Sequence, residues 1–394
     1  MAGAGPSRST RAVIVAGFGI GRFGRFPAAT LTELAAPVVA TALKDAHIAA
    51  SQVEAAYVGN AFGGAIAGQE SILGQIVLAP AGIAGPPIHT VKNACSSGAD
   101  AVHLAWSAVA HGQYDCVLAL GVEKLTHEDR GRSFAALASA TDQAPRGEGR
   151  SVFMDVNADR ARAYMDRHGA TARHFALCAA KNRAHAALNE RAAVHKAMSV
   201  EEILGDAIVV APLTRAMCGG IVDGAAAVVL MSEAAARRVG AMGPRIAASA
   251  VASGVPDGDA RGNATARAGA AAYEQAGIGP EAIAFAEVHD PTAPQELFDI
   301  EDLGLCARGE GCLLIEAGAT SLGGRLPVNV SGGLTARGHP VGATGVAQIA
   351  ELAEQLSGRA GRRQIERPKV GLAQMAGGLL GRDSAVAAVH ILAS

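Results

Sequence analysis

The chain has 394 residues, half of them apolar and 18% charged, with a formal net charge of −2. That length suits two packed units or one large two-part α/β body. The lack of a basic block and an aromatic content of only 4% argue against a nucleic-acid surface.

No window reaches the ~18 uninterrupted apolar residues of a membrane span. The N-terminal MAGAGPSRSTR lacks the long apolar core of a signal peptide, and Leu392-Ala393-Ser394 is not a peroxisomal address. Six scattered cysteines without a CxxC pair suit reduced thiols in a cytoplasmic protein, with no disulfide framework and no metal site.

In chain order, Ala12 to Ala16 is a buried-strand run followed by GFGIGRFGRF. Gly19, Gly21 and Gly24 satisfy GxGxxG, but no helix opens directly after them. No second strand ending in an acidic residue follows about 20 positions later, so a glycine-rich loop is expected in place of a dinucleotide site. A helix is expected over Leu34 to Ala46, with Pro37 tolerable in its first turn. A strand over Ala55 to Asn60, a helix over Gln69 to Leu78 and a strand over Ile88 to Asn93 follow.

That last strand delivers NACSSG, in which Cys95 sits among small residues at a turn. Val102, Ala105, Trp106 and Val109 recur at steps of three and four, so a helix begins at once and Gly112 closes it. Unpaired N–H groups and the helix dipole at such a place favour a thiolate. A buried cysteine acting as a small hydrophobe is the bland reading, and the reactive one needs a base from elsewhere in the chain. Cys116 to Leu120 is the next strand.

From about Leu125 to Leu213 the strand–helix rhythm breaks. An apolar patch (Phe134 to Ala138), a polar Gly/Arg stretch (Thr141 to Arg150) and helical patterns over Ala158 to His168 and Thr171 to Arg191 read as a helical excursion. His168, His174, His185 and His195 lack metal-ligand spacing, and solvated or capping roles are expected for them. The alternation resumes with strands at Val222 to Leu230 and Arg245 to Ala248, a helix near Ala266 to Gln275 and a strand over Ala284 to His289. A helix over Gln295 to Leu303, a strand over Pro327 to Gly333 and a helix over Val346 to Leu356 come next. Strands at Val370 to Gln374 and Ser384 to Leu392 end the chain. VKNACSSG–helix–strand and VNVSGG…GATG–helix–strand look like two copies of one plan. Such a duplication would bring Cys95 and His339 face to face.

At this point the chain resembles the thiolase superfamily over nearly its whole length. NACSSGADAV, CVLALGVEKL, DGAAAVVLMSEAAA, PVNVSGGLTARGHPVGATG and GLAQMAGG carry the resemblance, in that order. Val288-His289-Asp290, followed by Glu296-Leu297 and Leu303-Gly304-Leu305-Cys306, is similar to the sterol-carrier-type branch. The resemblance implies an α/β thiolase fold, with two similar halves in αβαβα layers and a helical loop-domain insertion. The halves would comprise residues 1–124 with 214–250, and 251–394, and the insertion 125–213.

It further implies acyl transfer on CoA thioesters, by 3-oxoacyl-CoA thiolysis or the reverse Claisen condensation. Cys95 matches the acyl-accepting nucleophile and His339 the histidine that activates it. His289 matches the histidine lining the cavity, and Gly377 the glycine whose N–H joins that of Cys95 in an oxyanion hole. CoA or acyl-CoA would be substrate, with no permanently bound cofactor. A homodimer or tetramer is implied, and some family members work beside a small zinc-ribbon/OB-fold partner.

Three positions depart from the family pattern. Met375 stands where many thiolases have a second cysteine, Pro291 where the branch can have one, and Gly219 where many have a pantetheine-contacting serine. Acyl transfer without the Claisen step, or a role as one subunit of a complex with that partner, are the alternatives.

Overall fold

The computed structural model describes residues 10–144 and 150–394. The first nine residues of the N-terminal stretch and residues 145–149 of the polar stretch lie outside them.

The first unit runs β1 (Val13–Ile20), α1 (Leu31–Asp45), β2 (Ala55–Gly59), α2 (Gly63–Ala67), α3 (Leu73–Leu78), β3 (Ile88–Val91), α4 (Ser97–Ala110) and β4 (Cys116–Glu123). The excursion holds α5 (Arg130–Ala138), α6 (Val152–His168), α7 (Ala172–Ala186), α8 (Val200–Leu204) and a hairpin of β5 (Ile208–Val210) and β6 (Leu213–Thr214). The chain returns through β7 (Gly224–Ser232) and α9 (Glu233–Val239). The second unit follows as β8 (Arg245–Ser253), α10 (Ala264–Ala276), β9 (Phe285–Glu287), α11 (Ala293–Asp302), α12 (Gly311–Glu316), α13 (Val341–Leu356), β10 (Val370–Gly377) and β11 (Val386–Ala393).

The suspected repeat is visible in the strand pairing, whose order is β3-β2-β4-β7-β1-β8-β11-β10-β9. From the middle outward, β1 pairs antiparallel with β7, β7 antiparallel with β4, and β4 parallel with β2. On the other side β8 pairs antiparallel with β11, β11 antiparallel with β10, and β10 parallel with β9. The two ladders meet where Ile14 pairs with Arg245.

Five layers result. Outside the first ladder α1 and α3 bury Val39, Leu43 and Val77 against Leu118 and Val229. Between the ladders α4 and α13 share a core in which Val102, Val109, Val346 and Ile349 meet Val117, Val228 and Ala373. Outside the second ladder α10 and α11 place Ala268 and Leu297 against Leu372 and Val389.

The central pair of helices fixes the site. A Cβ at Gly98 would lie 2.5 Å from the Gly342 carbonyl oxygen, and one at Gly345 would lie 2.4 Å from the Ala99 nitrogen. Only glycine lets the two backbones approach this closely. Their N-terminal ends therefore converge, one carrying Cys95 and the other His339.

Several sequence expectations are corrected. The expected glycine loop begins only at Gly21, because β1 continues through Ile20 and takes in Gly17 and Gly19. Its glycines admit a helix: a Cβ at Gly17 would lie 2.4 Å from the Ala46 nitrogen, and one at Gly19 2.3 Å from the Val38 oxygen. Helix α1 starts at Leu31 because Thr30 and Glu33 form a capping box, which leaves Pro37 in the helix interior and not in its first turn. The strand expected over Pro327 to Gly333 shrinks to a bridge between Ala286 and Val328 at the sheet edge, and Gly333–Arg337 is a π-helical turn. His185 is buried, with Nδ1 3.0 Å from the Asn329 oxygen and Nε2 accepting from Leu322 N–H at 2.9 Å, so it clamps the second unit and is not solvated. All six cysteines are unbridged. Among the described residues no helix is long and apolar enough to cross a membrane.

Candidate active site

Cys95 sits on a sharp turn between β3 and α4. Ala94 just before it takes a positive φ of 48°, a conformation that a non-glycine residue holds only when its surroundings impose it. Here Ser97 Oγ accepts from Asn93 N–H at 2.8 Å, Ser96 N–H donates to the Asn93 oxygen at 3.1 Å and Ser97 N–H to the Ala94 oxygen at 3.1 Å. Asp100, one helical turn on, takes the Ser96 hydroxyl at 2.9 Å and the Asn93 side-chain amide. The turn thus closes on its own small polar side chains, which is why the sequence is Asn-Ala-Cys-Ser-Ser.

The sulfur is faced by the backbone N–H groups of Gly378 and of Cys95 itself. Burial nevertheless pushes the thiol up to about 12, against the pull of the Gly378 N–H and with a contribution from buried Glu123. The direction is opposite to that expected from the helix terminus alone. Burial works against the thiolate, so an outside base is needed to take the proton.

The two histidines close on it. Cys95 Sγ and ring nitrogens of His289 and His339 lie within 4.8 Å of one another, and the imidazole centroids are 5.4 Å apart at 70°. The trio offers thiol and imidazole donors of the kind soft divalent metals take. His339 lies just ahead of α13, and its Nδ1 is 2.8 Å from Thr344 Oγ1. The Thr344 hydroxyl hydrogen is already committed to the Pro340 oxygen at 3.0 Å, so Thr344 accepts and Nδ1 carries the proton. That leaves the Nε2 lone pair of His339 free, buried and without a partner. Burial, then the neighbouring His289 and Arg337, hold His339 well below its ordinary pKa, so it is a neutral base. His289 is likewise buried with Nε2 unpartnered, and burial with the Arg160 charge lowers it to about 3.

Each histidine is delivered by a buried polar network. His289 N–H donates to Gln374 Oε1 and Val288 N–H to Asn329 Oδ1, both at 2.8 Å. Asp290 accepts from Leu334 N–H at 2.7 Å, Asn182 Nδ2 at 2.9 Å and Thr335 Oγ1 at 3.1 Å, tying the π turn that leads to His339. Burial, with the nearby Glu296, pushes the Asp290 carboxyl up to about 8. Glu123 at the end of β4 accepts from Ala61 N–H at 2.9 Å and Gly342 N–H at 3.0 Å, and so fastens the first unit to the start of α13.

Gly377 ends β10 against the nucleophile turn. A Cβ there would lie 2.4 Å from the Asn93 oxygen and 2.8 Å from the Ser96 nitrogen. The N–H that reaches the sulfur belongs to the next residue, Gly378, whose φ is 63°. Met375 is buried beside Cys95 and Ala99, and its thioether has no proton to give. Pro291 and Gly219 line the same cavity, joined by a 2.9 Å bond from Gly219 N–H to the Pro291 oxygen.

That cavity, of about 600 Å³, has Cys95, His289 and His339 in its wall and is roofed by excursion residues such as Phe134, Leu137 and Met154. Thr344, Glu123 and Gly378 had escaped the sequence reading. Only the GATG repeat around Thr344 hinted at one of them.

With the geometry known, the relatives can be placed. The family description "Thiolase, N-terminal domain" matches residues 13–209, and "Thiolase C-terminal domain-like" matches residues 248–393. An acetyl-CoA acetyltransferase of Methanothermobacter thermautotrophicus is 36% identical over 97% of this chain and 99% of its own. The benzoylsuccinyl-CoA thiolase subunit BbsB of Thauera aromatica is 37% identical over 93% of this chain and 95% of its own. Human sterol carrier protein 2 is 33% identical over 92% of this chain and 69% of its own. The Ltp2-ChsH2(DUF35) aldolase structure superposes with a TM-score of 0.78 at 25% identity, covering 97% of this chain and 98% of that one. Human mitochondrial 3-ketoacyl-CoA thiolase superposes at 0.72 and 19%, covering 98% of each.

Proposed function

Starting from a chain that belongs to the thiolase family and is an acyltransferase of CoA thioesters, we propose that it makes or breaks a carbon–carbon bond through an acyl-Cys95 intermediate. In the thiolysis direction His339 Nε2 takes the Cys95 proton as the sulfur attacks the 3-oxo carbon. The oxyanion is held by the Cys95 and Gly378 N–H groups, with Gly377 clearing the space beside them. The C2–C3 bond then breaks and its electron pair leaves as the enolate of acetyl-CoA. The thiol proton reaches that carbon through His289, so the half-reaction is proton-neutral. In the second half the CoA thiol gives its proton to the same pair of histidines and attacks the acyl-Cys95. The proton returns to the departing sulfur.

The observation that carries this reading is the convergence of the Cys95 thiol with two buried imidazoles whose Nε2 atoms have no partner. It is tested by mixing the protein with 3-oxoacyl-CoA esters and CoA and quantifying shortened acyl-CoA and acetyl-CoA. His289→Ala should acylate Cys95 from acyl-CoA yet cleave no carbon–carbon bond. Cleavage near the wild-type rate by that variant sinks the assignment.

Two further readings have their own support. Met375 and Pro291 stand where relay cysteines occur in the family, which favours acyl transfer without the Claisen step. Acylation with no chain-shortened product would select it. The Ltp2-ChsH2(DUF35) aldolase, named for two components, favours the reading with a partner subunit, for which a zinc-ribbon/OB-fold protein is proposed and which copurification would reveal. We also propose a homodimer or tetramer, since β3 is an edge strand beside the exposed Ile72 and Ile76, and a cytoplasmic location, on the scattered free cysteines. The division at residues 124, 213 and 250 remains part of this proposal.

A further inference from the structure

Near His289 the cavity wall carries a cation that the acyl-transfer chemistry leaves unused. Arg160, in the third turn of α6, lines the cavity, and its charge is felt at His289. Its guanidinium makes a 3.0 Å hydrogen bond from Nη2 to the Arg382 carbonyl oxygen. Among the described residues no carboxylate lies within ion-pair distance of it. Of the other cavity arginines, Arg150 pairs with Asp155 and Arg215 with Asp206, each at 2.7 Å, while Arg25 and Arg130 lie at the exposed end without an ion pair among the described residues.

The acids nearest Arg160 are Asp299, Asp302 and Asp383, which act on it only through space. Their hydrogen bonds and ion pairs among the described residues go to other groups, although one Asp299 oxygen, Oδ2, is buried without a partner. Asp299 accepts from Gln295 at 3.0 Å, Asp302 is held by Arg308 and Asn263 at 2.5 and 2.6 Å, and Asp383 by Arg267 at 3.1 Å and Ala264 N–H at 3.0 Å. A guanidinium presents five donors in a planar fork that fits a carboxylate edge-on. With one hydrogen bond and no ion pair among the described residues, Arg160 keeps donors available to a carboxylate that enters the cavity it lines.

We propose that Arg160 receives a carboxylate carried by the acyl part of the substrate. The thioesters turned over would then be those of dicarboxylic or otherwise carboxylate-bearing 3-oxoacids. This rests on the cavity being the acyl-CoA site. The reacting carbonyl must lie at Cys95, and Arg160 lines the same cavity as His289, the histidine assigned to the enolate carbon, with its charge acting on that ring. The group it meets is therefore attached near the reacting carbons. The CoA phosphates are a pantetheine arm away, where Arg25 and Arg130 line the exposed part of the cavity.

The test reads binding on Cys95→Ser, which cannot form the acyl-enzyme. Dissociation constants are measured by calorimetry for succinyl-CoA against butyryl-CoA and for glutaryl-CoA against pentanoyl-CoA. Each pair differs by a terminal carboxylate in place of a methyl group. The expected preference for the anionic ester is at least about 10-fold, since sites built to hydrogen-bond a polar group reject analogues lacking it strongly. Adding Arg160→Gln should bring the ratio to about one, and Arg160→Lys, which keeps the charge but not the fork, should leave an intermediate ratio. If the glutamine variant does not fold, the lysine variant decides: an unchanged ratio overturns the proposal. So does equal or tighter binding of the neutral esters by Cys95→Ser. Failure to bind any CoA ester would overturn the functional reading, and this proposal with it. Binding without preference overturns this proposal alone.

Discussion

If Cys95 rests as a thiol beside a neutral imidazole, its reactivity toward a small electrophile should be low and steeply pH-dependent. The perturbation is pH alone, on the wild-type protein without substrate. At pH 8 a thiol of pKa 9.0 is roughly 10% thiolate, whereas one raised to about 12 is only about 0.01% thiolate, a ~1000-fold loss. A more basic thiolate is also more nucleophilic, and a Brønsted slope of about 0.4–0.5 over three units recovers a factor of about 20. The net expectation is alkylation roughly 50-fold slower than for an unperturbed cysteine peptide, rising about tenfold per pH unit to beyond pH 10. Iodoacetamide alkylation followed by peptide mapping of Cys95 reads this directly. A rate flat between pH 6 and 8, at or above that of the free peptide, would refute the reasoning. It would mean a stored thiolate–imidazolium pair, with His339 already carrying the proton.

Other perturbations separate positioning from chemistry. Thr344→Val keeps the shape but removes the acceptor that fixes the His339 tautomer. We expect kcat to fall about 10- to 100-fold with Tm nearly unchanged, and wild-type turnover would show the tautomer is set otherwise. Gly377→Ala drives a methyl onto the backbone at Asn93 and Ser96, so acyl-enzyme formation should drop at least about 100-fold in a folded protein, as single-turnover kinetics would read. Glu123 titrates at about 7 in the fold, raised by burial, against 4.5 unperturbed. The folded state thus holds this proton more tightly than the unfolded one, and its stabilisation, complete below about pH 4.5, is lost as pH rises through about 7. The loss amounts to about 3 kcal/mol. Glu123→Gln should flatten that part of the pH dependence in urea titrations between pH 5 and 8, and an unaltered slope would contradict the assignment.

What could be read from the sequence was local. Cys95 and His339 each stand in a turn whose small residues and following helix announce themselves, and the repeat of strand, turn and helix implied that the two turns meet. The pairing of β1 with β7 and of β8 with β11 repeats that plan in the same sense. What escaped was non-local. Gly17 and Gly19 looked like a loop because nothing nearby shows that α1 lies against them. Glu123 reaches Gly342 across 219 residues, which no pattern in either segment foretells. The expectation of a thiolate counted the dipole at the α4 terminus but not the roof built by residues from the excursion, and burial decided the sign. The Gly-Gly after Met375 was legible as a unit, but not that the N–H of its second glycine faces the sulfur.

The most direct test of the account is the mass of the protein itself after brief exposure to acetyl-CoA or to a 3-oxoacyl-CoA ester. The account predicts a single added acyl group mapping to Cys95, discharged by CoA, slowed by His339→Ala and absent from Cys95→Ser. Turnover at the wild-type rate by the serine variant, or an acyl group found elsewhere in the chain, would contradict it.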